Sequence, residues 1–405
     1  MNQEQEQAPG SGGAPSPRAA EGERRPSLSQ IFLEFLRLGA TAFGGPAMVA
    51  HVRGMVVQRH RWVDEETFRS GLALCQAIPG ATAMQTCAYI GLRLRGVRGA
   101  VASYLGFGFP AFLLMLTLSI LYRRFSALPA VVATFDGLRA LIAALIAQAT
   151  FTFGRSYLKR WQDFLLAPIA AALFWFGVSP ILVIPLCGVL GAALAYRQGD
   201  MASASGLKPS PFPVRPLAII LGSVAVLLVA LFFLGRGIFS LSLLMMKIDL
   251  FAFGGGFASI PLMLHEVVDV RHWMDAKTFM DGIALGQITP GPIVITSTFV
   301  GYVLQGIGGG VVATASIFLP SFILVVVTSP FFSRLNSFPL FRKAVQGILC
   351  SFVGLLLSTA VRFGFSVGWD VPRLALAVLA FGALLLRVDL LWVVLGGIVY
   401  SVILH

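Results

Sequence analysis

The chain has 405 residues, 57% of them hydrophobic and 12% charged, with a mean hydropathy of +0.84 and a formal net charge of +12. So little polar surface excludes a water-soluble globule of this size, and apolar runs of about 20 residues exclude a transmembrane barrel built from short alternating strands. The basic balance does not point to nucleic acid, because Lys and Arg cluster between apolar runs, where the positive-inside bias places them in cytoplasmic loops.

Residues 1–30 are rich in Gln, Glu, Gly, Pro and Ser and have no apolar core, so they read as a disordered tail rather than a cleaved leader. From residue 31 to 196 the apolar segments are 31–50, 70–92, 99–122, 130–151 and 164–196, the last divided by Gly177 to Pro180, which makes six. Residues 197–240 follow as a polar linker with one extra apolar run at 217–235. From 241 to 405 the six recur at 241–263, 281–303, 309–332, 343–361, 371–386 and 389–404. The expected fold is therefore an all-α polytopic membrane protein of about 13 hydrophobic segments.

The two halves are copies. At an offset of 211, Trp62, Asp64, Thr67, Phe68, Gly71, Ala73, Leu74, Gln76, Pro79 and Gly80 match Trp273, Asp275, Thr278, Phe279, Gly282, Ala284, Leu285, Gln287, Pro290 and Gly291. At an offset of 210, "AFGG" at 42–45 matches "AFGG" at 252–255, and Gly91, Gly96, Gly99 and Pro110 match Gly301, Gly306, Gly309 and Pro320. The unpaired run at 217–235 makes the second copy enter the bilayer from the opposite face. Loop charge agrees, since Arg93, Arg95 and Arg98 give way to the uncharged "QGIGGG" at 305–310. This predicts an inverted-topology repeat with the N-terminus in the cytoplasm, although Arg123, Arg124, Arg236, Arg362 and Arg373 fall on the outer side.

A Pro-Gly pair inside an apolar run ends one half-helix and frees amides at the start of the next. Such amides are tolerated only where protein or a wet cavity meets them, so Pro79-Gly80 and Pro290-Gly291 point to a central cavity, as in secondary transporters. The glycines of the "AFGG" turns, Gly44, Gly45, Gly254 and Gly255, supply a second pair of breaks. These segments fit either a spanning or a re-entrant path. Helix starts favour anions, and Gln76 and Gln287 add amide donors. Arg37 and Lys247, each six residues before its "FGG", are candidate site charges, with ion pairs to Glu34 and Asp249 as the structural alternative. Asp136 and Arg139 read as a helix ion pair, and Asp64 and Asp275 as helix caps. Cys75, Cys87, Cys187 and Cys350 read as buried hydrophobes, and no metal or cofactor motif is visible. No phosphate-binding loop of the Walker type occurs either.

The stretches "FGGPAMVAHV", "WVDEETFRSGLALCQAIPGATAMQ", "FAFGGGFASIPLM", "WMDAKTFMDGIALGQITPGPI", "GFPAF" and "LPSF" strongly resemble the chromate ion transporter family in its long, two-domain form. The resemblance covers nearly the whole chain from residue 31 and implies an inner-membrane protein that is not an enzyme and exports chromate, with sulfate as a similar ligand. A transporter or channel for another oxyanion such as sulfate is the alternative. Beyond chromate and the lipid bilayer, a homodimer is left open as a partner. Copy one departs from copy two at Ala81, where Pro292 stands, so the half-sites need not be equal.

Overall fold

The computed structural model describes residues 26–196, 214–386 and 388–404, and all regular structure among them is helical. The expected tail up to residue 25 and the linker at 197–213 lie outside the described residues. The first copy contains α1 (Leu28–Thr41), α2 (Gly45–Arg53, widening into a π-helical end at Gly54–Arg59), α3 (Glu65–Ala77), α4 (Thr82–Phe125), α5 (Pro129–Tyr157), α6 (Asp163–Trp175) and α7 (Pro180–Tyr196). After α8 (Val214–Leu234) come α9 (Arg236–Phe251), α10 (Gly256–Met263, widening at Leu264–Val270) and α11 (Ala276–Ile288). A short turn of 3-10 helix (Ile293–Ile295) leads into α12 (Thr296–Thr328), then α13 (Phe332–Ser337), α14 (Pro339–Ser366), α15 (Val371–Leu385) and α16 (Leu390–Leu404).

Neither α4 nor α12 is one rod. The backbone turns at Gly96 (φ 62°, ψ −154°) and again at Gly306 (φ 64°, ψ −153°), so the copies share the same break. Beyond it the chain folds back on itself. Ser103 Oγ donates to the Cys87 carbonyl (2.8 Å), and the Thr298 and Thr314 hydroxyls pair at 2.7 Å. Sixteen residues of straight helix would hold such partners about 24 Å apart. The arms touch backbone to backbone, since a Cβ on Gly91 would lie 2.2 Å from the Gly99 oxygen and one on Gly301 2.2 Å from the Gly309 oxygen.

The same test shows what the Pro-Gly and AFGG breaks do. A Cβ on Gly71 would lie 2.2 Å from the Tyr89 ring and one on Gly282 2.3 Å from the Phe299 ring, so α3 and α11 run back along the first arms of α4 and α12. His60 Nε2 reaches Glu34 at 3.3 Å, Lys247 Nζ reaches Glu266 at 2.6 Å and Arg271 Nη1 reaches Ser240 at 3.1 Å, which closes α1 on α2 and α9 on α10 in the same way. Helices α1, α3, α9 and α11 have 14, 13, 16 and 13 residues. Their lengths of about 20–24 Å fall short of a hydrocarbon core of about 30 Å. Each of the four interrupted runs is therefore folded as a helical hairpin. Among the described residues, five helices are long and apolar enough to cross a membrane, counting the broken α4 and α12 whole, and four shorter ones are apolar.

Equivalent helices meet head to tail. Tyr104 packs edge-on against Phe318 while Leu116 lies against Gly310, so the second arms of α4 and α12 are antiparallel. Helices α5 and α14 are antiparallel too, with Phe153 on Phe352 and Gln346 Nε2 donating to the Tyr157 carbonyl (2.5 Å). The copies also exchange partners: α5 packs on α15 and α16, and α14 packs on α6 and α7. At the hairpin bases Asp64 and Asp275 accept the Thr67 and Thr278 amides (2.6 and 2.9 Å) as caps. The Thr67 amide bond holds the Asp64 carboxyl below its ordinary range.

Candidate functional site

The four hairpin tips meet across the repeats. The Gly80 amide donates to the Ala252 carbonyl (3.0 Å) and, reciprocally, the Gly291 amide donates to the Ala42 carbonyl (2.9 Å). Each Pro-Gly tip thus crosses the AFGG tip of the other copy. Only glycine suits these two points: φ is +115° at Gly80 and +105° at Gly291, and a Cβ would lie 2.3 Å from Ser321 Cβ and 2.7 Å from Ala111 Cβ respectively. The Gln85 side chain donates to the Pro79 carbonyl (2.5 Å) and braces the first crossing from behind.

Every returning arm begins at a tip, so its first amides point toward the meeting place. No side chain caps α4, α10 or the Ile293–Ile295 turn. These three starts converge on a cavity of about 270 Å³ lined by Gln76, Ala81, Thr82, Gly254, Gly255, Gly256, Phe257, Pro292, Ile293, Phe153 and Tyr157, with Met48, Val49, Leu72 and Ala83 completing the wall. That lining contains no carboxylate, lysine or arginine. At about 30 Å³ per water the space takes an oxyanion with part of its hydration shell. Gln76, Phe153, Tyr157 and Phe257 also line a larger cavity of about 730 Å³, which adds Gly44, Gln148, Thr152, Ser156 and, from the α15–α16 connection, Asp389.

The pseudo-equivalent place in the other direction is more tightly packed among the described residues. There Gln287 is buried and its amide nitrogen has no hydrogen-bond partner, and Leu355, Ser358, Thr359 and Phe363 are buried as well. Where the open side has Leu349 in the cavity wall, the closed side has Arg139. Arg139 grips Asp281 of α11 with two bonds of 2.8 Å, Tyr122 donates to the same carboxylate at 2.8 Å, and Asp136 pairs with the guanidinium from one turn away. The Asp136–Arg139 pair read from the sequence is thus part of a bridge between the copies.

Of the residues singled out from the sequence, Gln76, Gly44, Gly254 and Gly255 line the cavities. Pro79, Gly80, Pro290 and Gly291 are buried behind them as the crossing points, and Gly45 opens α2. Arg37 is exposed and bound to Glu34 (3.1 Å). Lys247 pairs with Glu266 rather than with Asp249, because the hairpin brings α10's continuation beside it. Neither cation lines the two cavities described. Gln148, Thr152 and Ser156 belong to no motif. Their signal is a polar residue at every fourth position of α5, and copy two keeps Ser358, Arg362 and Ser366 at the matching places.

A model of the chromate transporter family matches residues 29–192 and again residues 239–402. The chain belongs to the chromate transporter family. It is 44% identical over 383 residues to an uncharacterized transporter of Methanocaldococcus jannaschii, covering 94% of this chain and 95% of the relative. It is 32% identical to the chromate transport protein of Pseudomonas aeruginosa, over 88% of this chain and 86% of that one, and 29% identical to the chromate transport protein of Cupriavidus metallidurans, over 89% and 88%. No solved structure matches the chain. Membership of this family of transporters, with five helices of spanning length, makes it a multi-pass membrane protein.

Proposed function

We propose that the chain is a secondary transporter that carries chromate out of the cytoplasm across the inner membrane by alternating access. The observation that carries this reading is the cavity where hairpin tips of both copies meet, walled by three uncapped helix starts and free of fixed negative charge. A helix start stabilises an anion by about 0.3–2 kcal/mol, whereas full dehydration of an ion costs on the order of tens of kcal/mol. A dianion therefore stays partly hydrated here, with Gln76 and the Thr82 hydroxyl completing its shell. Alternation is supported by the contrast between the open half-site at Gln76 and the packed one at Gln287. The antiparallel meeting of equivalent helices supports the inverted topology, and the basic loop of Arg93, Arg95 and Arg98 favours a cytoplasmic N-terminus. Arg37 and Lys247 contribute from outside the anion's shell: Lys247 ties the arms of the second AFGG hairpin through Glu266, and Arg37 holds, from within α1, the Glu34 that His60 reaches across the first. Efflux needs no nucleotide, because a dianion leaving a negative-inside cell gains about 4.6 kcal/mol at 100 mV.

The test is chromate flux into inside-out vesicles holding the full chain, with an interior-positive potential. Uptake should saturate and sulfate, a dianion of the same shape, should compete. Flux that is absent or rises linearly with concentration refutes the transporter reading.

A further inference from the structure

One ionisable side chain near the tips has no part in the anion cavity. Asp249, three residues before the Ala252 carbonyl that holds Gly80, is 1% exposed. Its Oδ2 accepts the Ser321 amide of α12 at 2.7 Å, and its Oδ1 has no partner. The Tyr104 hydroxyl of α4 lies beside this contact but is spent on the Phe318 carbonyl (2.7 Å) and Ser321 Oγ (3.0 Å). The titratable group that acts on it is Tyr104 of α4, beside which lie Cys87 of α4 and Cys75 of α3, and α12 contributes Ser321, which does not titrate. On its own helix, Lys247 is bound to Glu266. No cation faces the carboxyl among these groups.

A carboxylate stripped of water without a counter-charge is held far above the energy of its neutral acid. Within the apolar depth of a membrane protein such a group marks an ion or proton path by default. Copy one has Gly39 and Ala111 where copy two has Asp249 and Ser321, so the feature occurs once per chain. Its carboxyl also sits where α9, α12 and the Pro79-Gly80 tip meet, since a Cβ on Gly80 would strike Ser321.

We propose that Asp249 is a proton-binding site, neutral while α9 and α12 are packed and ionised when they part, so that one proton enters each transport cycle. The proton adds to a carboxylate oxygen from water in one access state and returns to water in the other, with no other bond changed. This rests on the alternating-access reading above, and the tests keep the two apart.

Infrared difference spectra of the full chain in lipid, between acid and alkaline buffer, should show a buried carboxylic C=O band that disappears in Asp249→Asn and shifts in Asp249→Glu. This readout needs no chromate. In proteoliposomes with voltage clamped to zero and both sides alkaline enough to keep chromate dianionic, one coupled proton makes a pH difference of one unit shift the equilibrium chromate ratio about tenfold. Asp249→Asn should abolish that shift and retain chromate exchange at equal pH, while Asp249→Glu should restore it. The sense of the shift reports whether proton and dianion travel together or in opposition. A tenfold shift that survives in Asp249→Asn, or a spectrum without the Asp249 band, overturns the proposal. Wild-type vesicles that move no chromate would overturn the transport reading, and the infrared band would still decide the site.

Discussion

Asp281→Asn should tip the balance between the two access states. In the structure Asp281 is nearly buried and receives two guanidinium bonds from Arg139 and one hydroxyl from Tyr122. Removing one partner of a buried pair costs about 3–5 kcal/mol, much of it from the charge left behind. Arg139 keeps Asp136, so the lower end applies. About 3 kcal/mol is a shift of about 150-fold toward the state in which the two copies part at this point. The probe is thiol labelling of Thr359→Cys, on the closed side, and Thr152→Cys, exposed on the open side, in a background where the four native cysteines are buried. Labelling at 359 should accelerate by one to two orders of magnitude in Asp281→Asn and labelling at 152 should slow. Unchanged rates at both positions, in protein that melts as before, would show that the Arg139–Asp281 bridge does not distinguish the states.

Gly80→Ala and Gly291→Ala should each abolish transport and lower the melting temperature in detergent, because a methyl group meets Ser321 or Ala111 within 2.7 Å at a positive φ. Gln76→Ala should raise the KM for chromate several-fold with a smaller change in kcat, and Gln148→Ala should do so more weakly, since it lines only the larger cavity; equal KM values in flux assays would remove both from the anion's shell. Arg37→Gln should change flux less than twofold, its side chain being 72% exposed, whereas Lys247→Gln leaves the buried Glu266 with only the longer Arg271 contact (3.8 Å) and should destabilise the protein by about 1–3 kcal/mol in a denaturation assay.

Much of this arrangement was legible in the residues. Duplicated Pro-Gly and AFGG breaks at matching spacing located the tips, because interrupting a helix in an apolar run leaves a mark that survives without coordinates. What the marks could not carry was the path. A run of 23 residues such as 70–92 has the length of a span, and only the contact of Gly71 with Tyr89 shows that it turns back. Charge assignment was harder still. Arg37 and Lys247 look alike along the chain, yet their partners Glu34 and Glu266 come from different places, the first from the same helix and the second from across a hairpin. Asp249 drew notice only as a neighbour of Lys247, since two residues apart on a helix point to opposite sides.

The exchange of α5 and α14 between the copies bears on how the polypeptide is made. Helix α5 leaves the ribosome long before α15 and α16 exist, so the face with Gly137, Leu138 and Leu141, which packs on Leu376, Gly397 and Ser401, has no lasting cover until the second copy is made. Two half-length polypeptides cut within residues 197–213 should therefore be degraded singly but rescue one another when produced together.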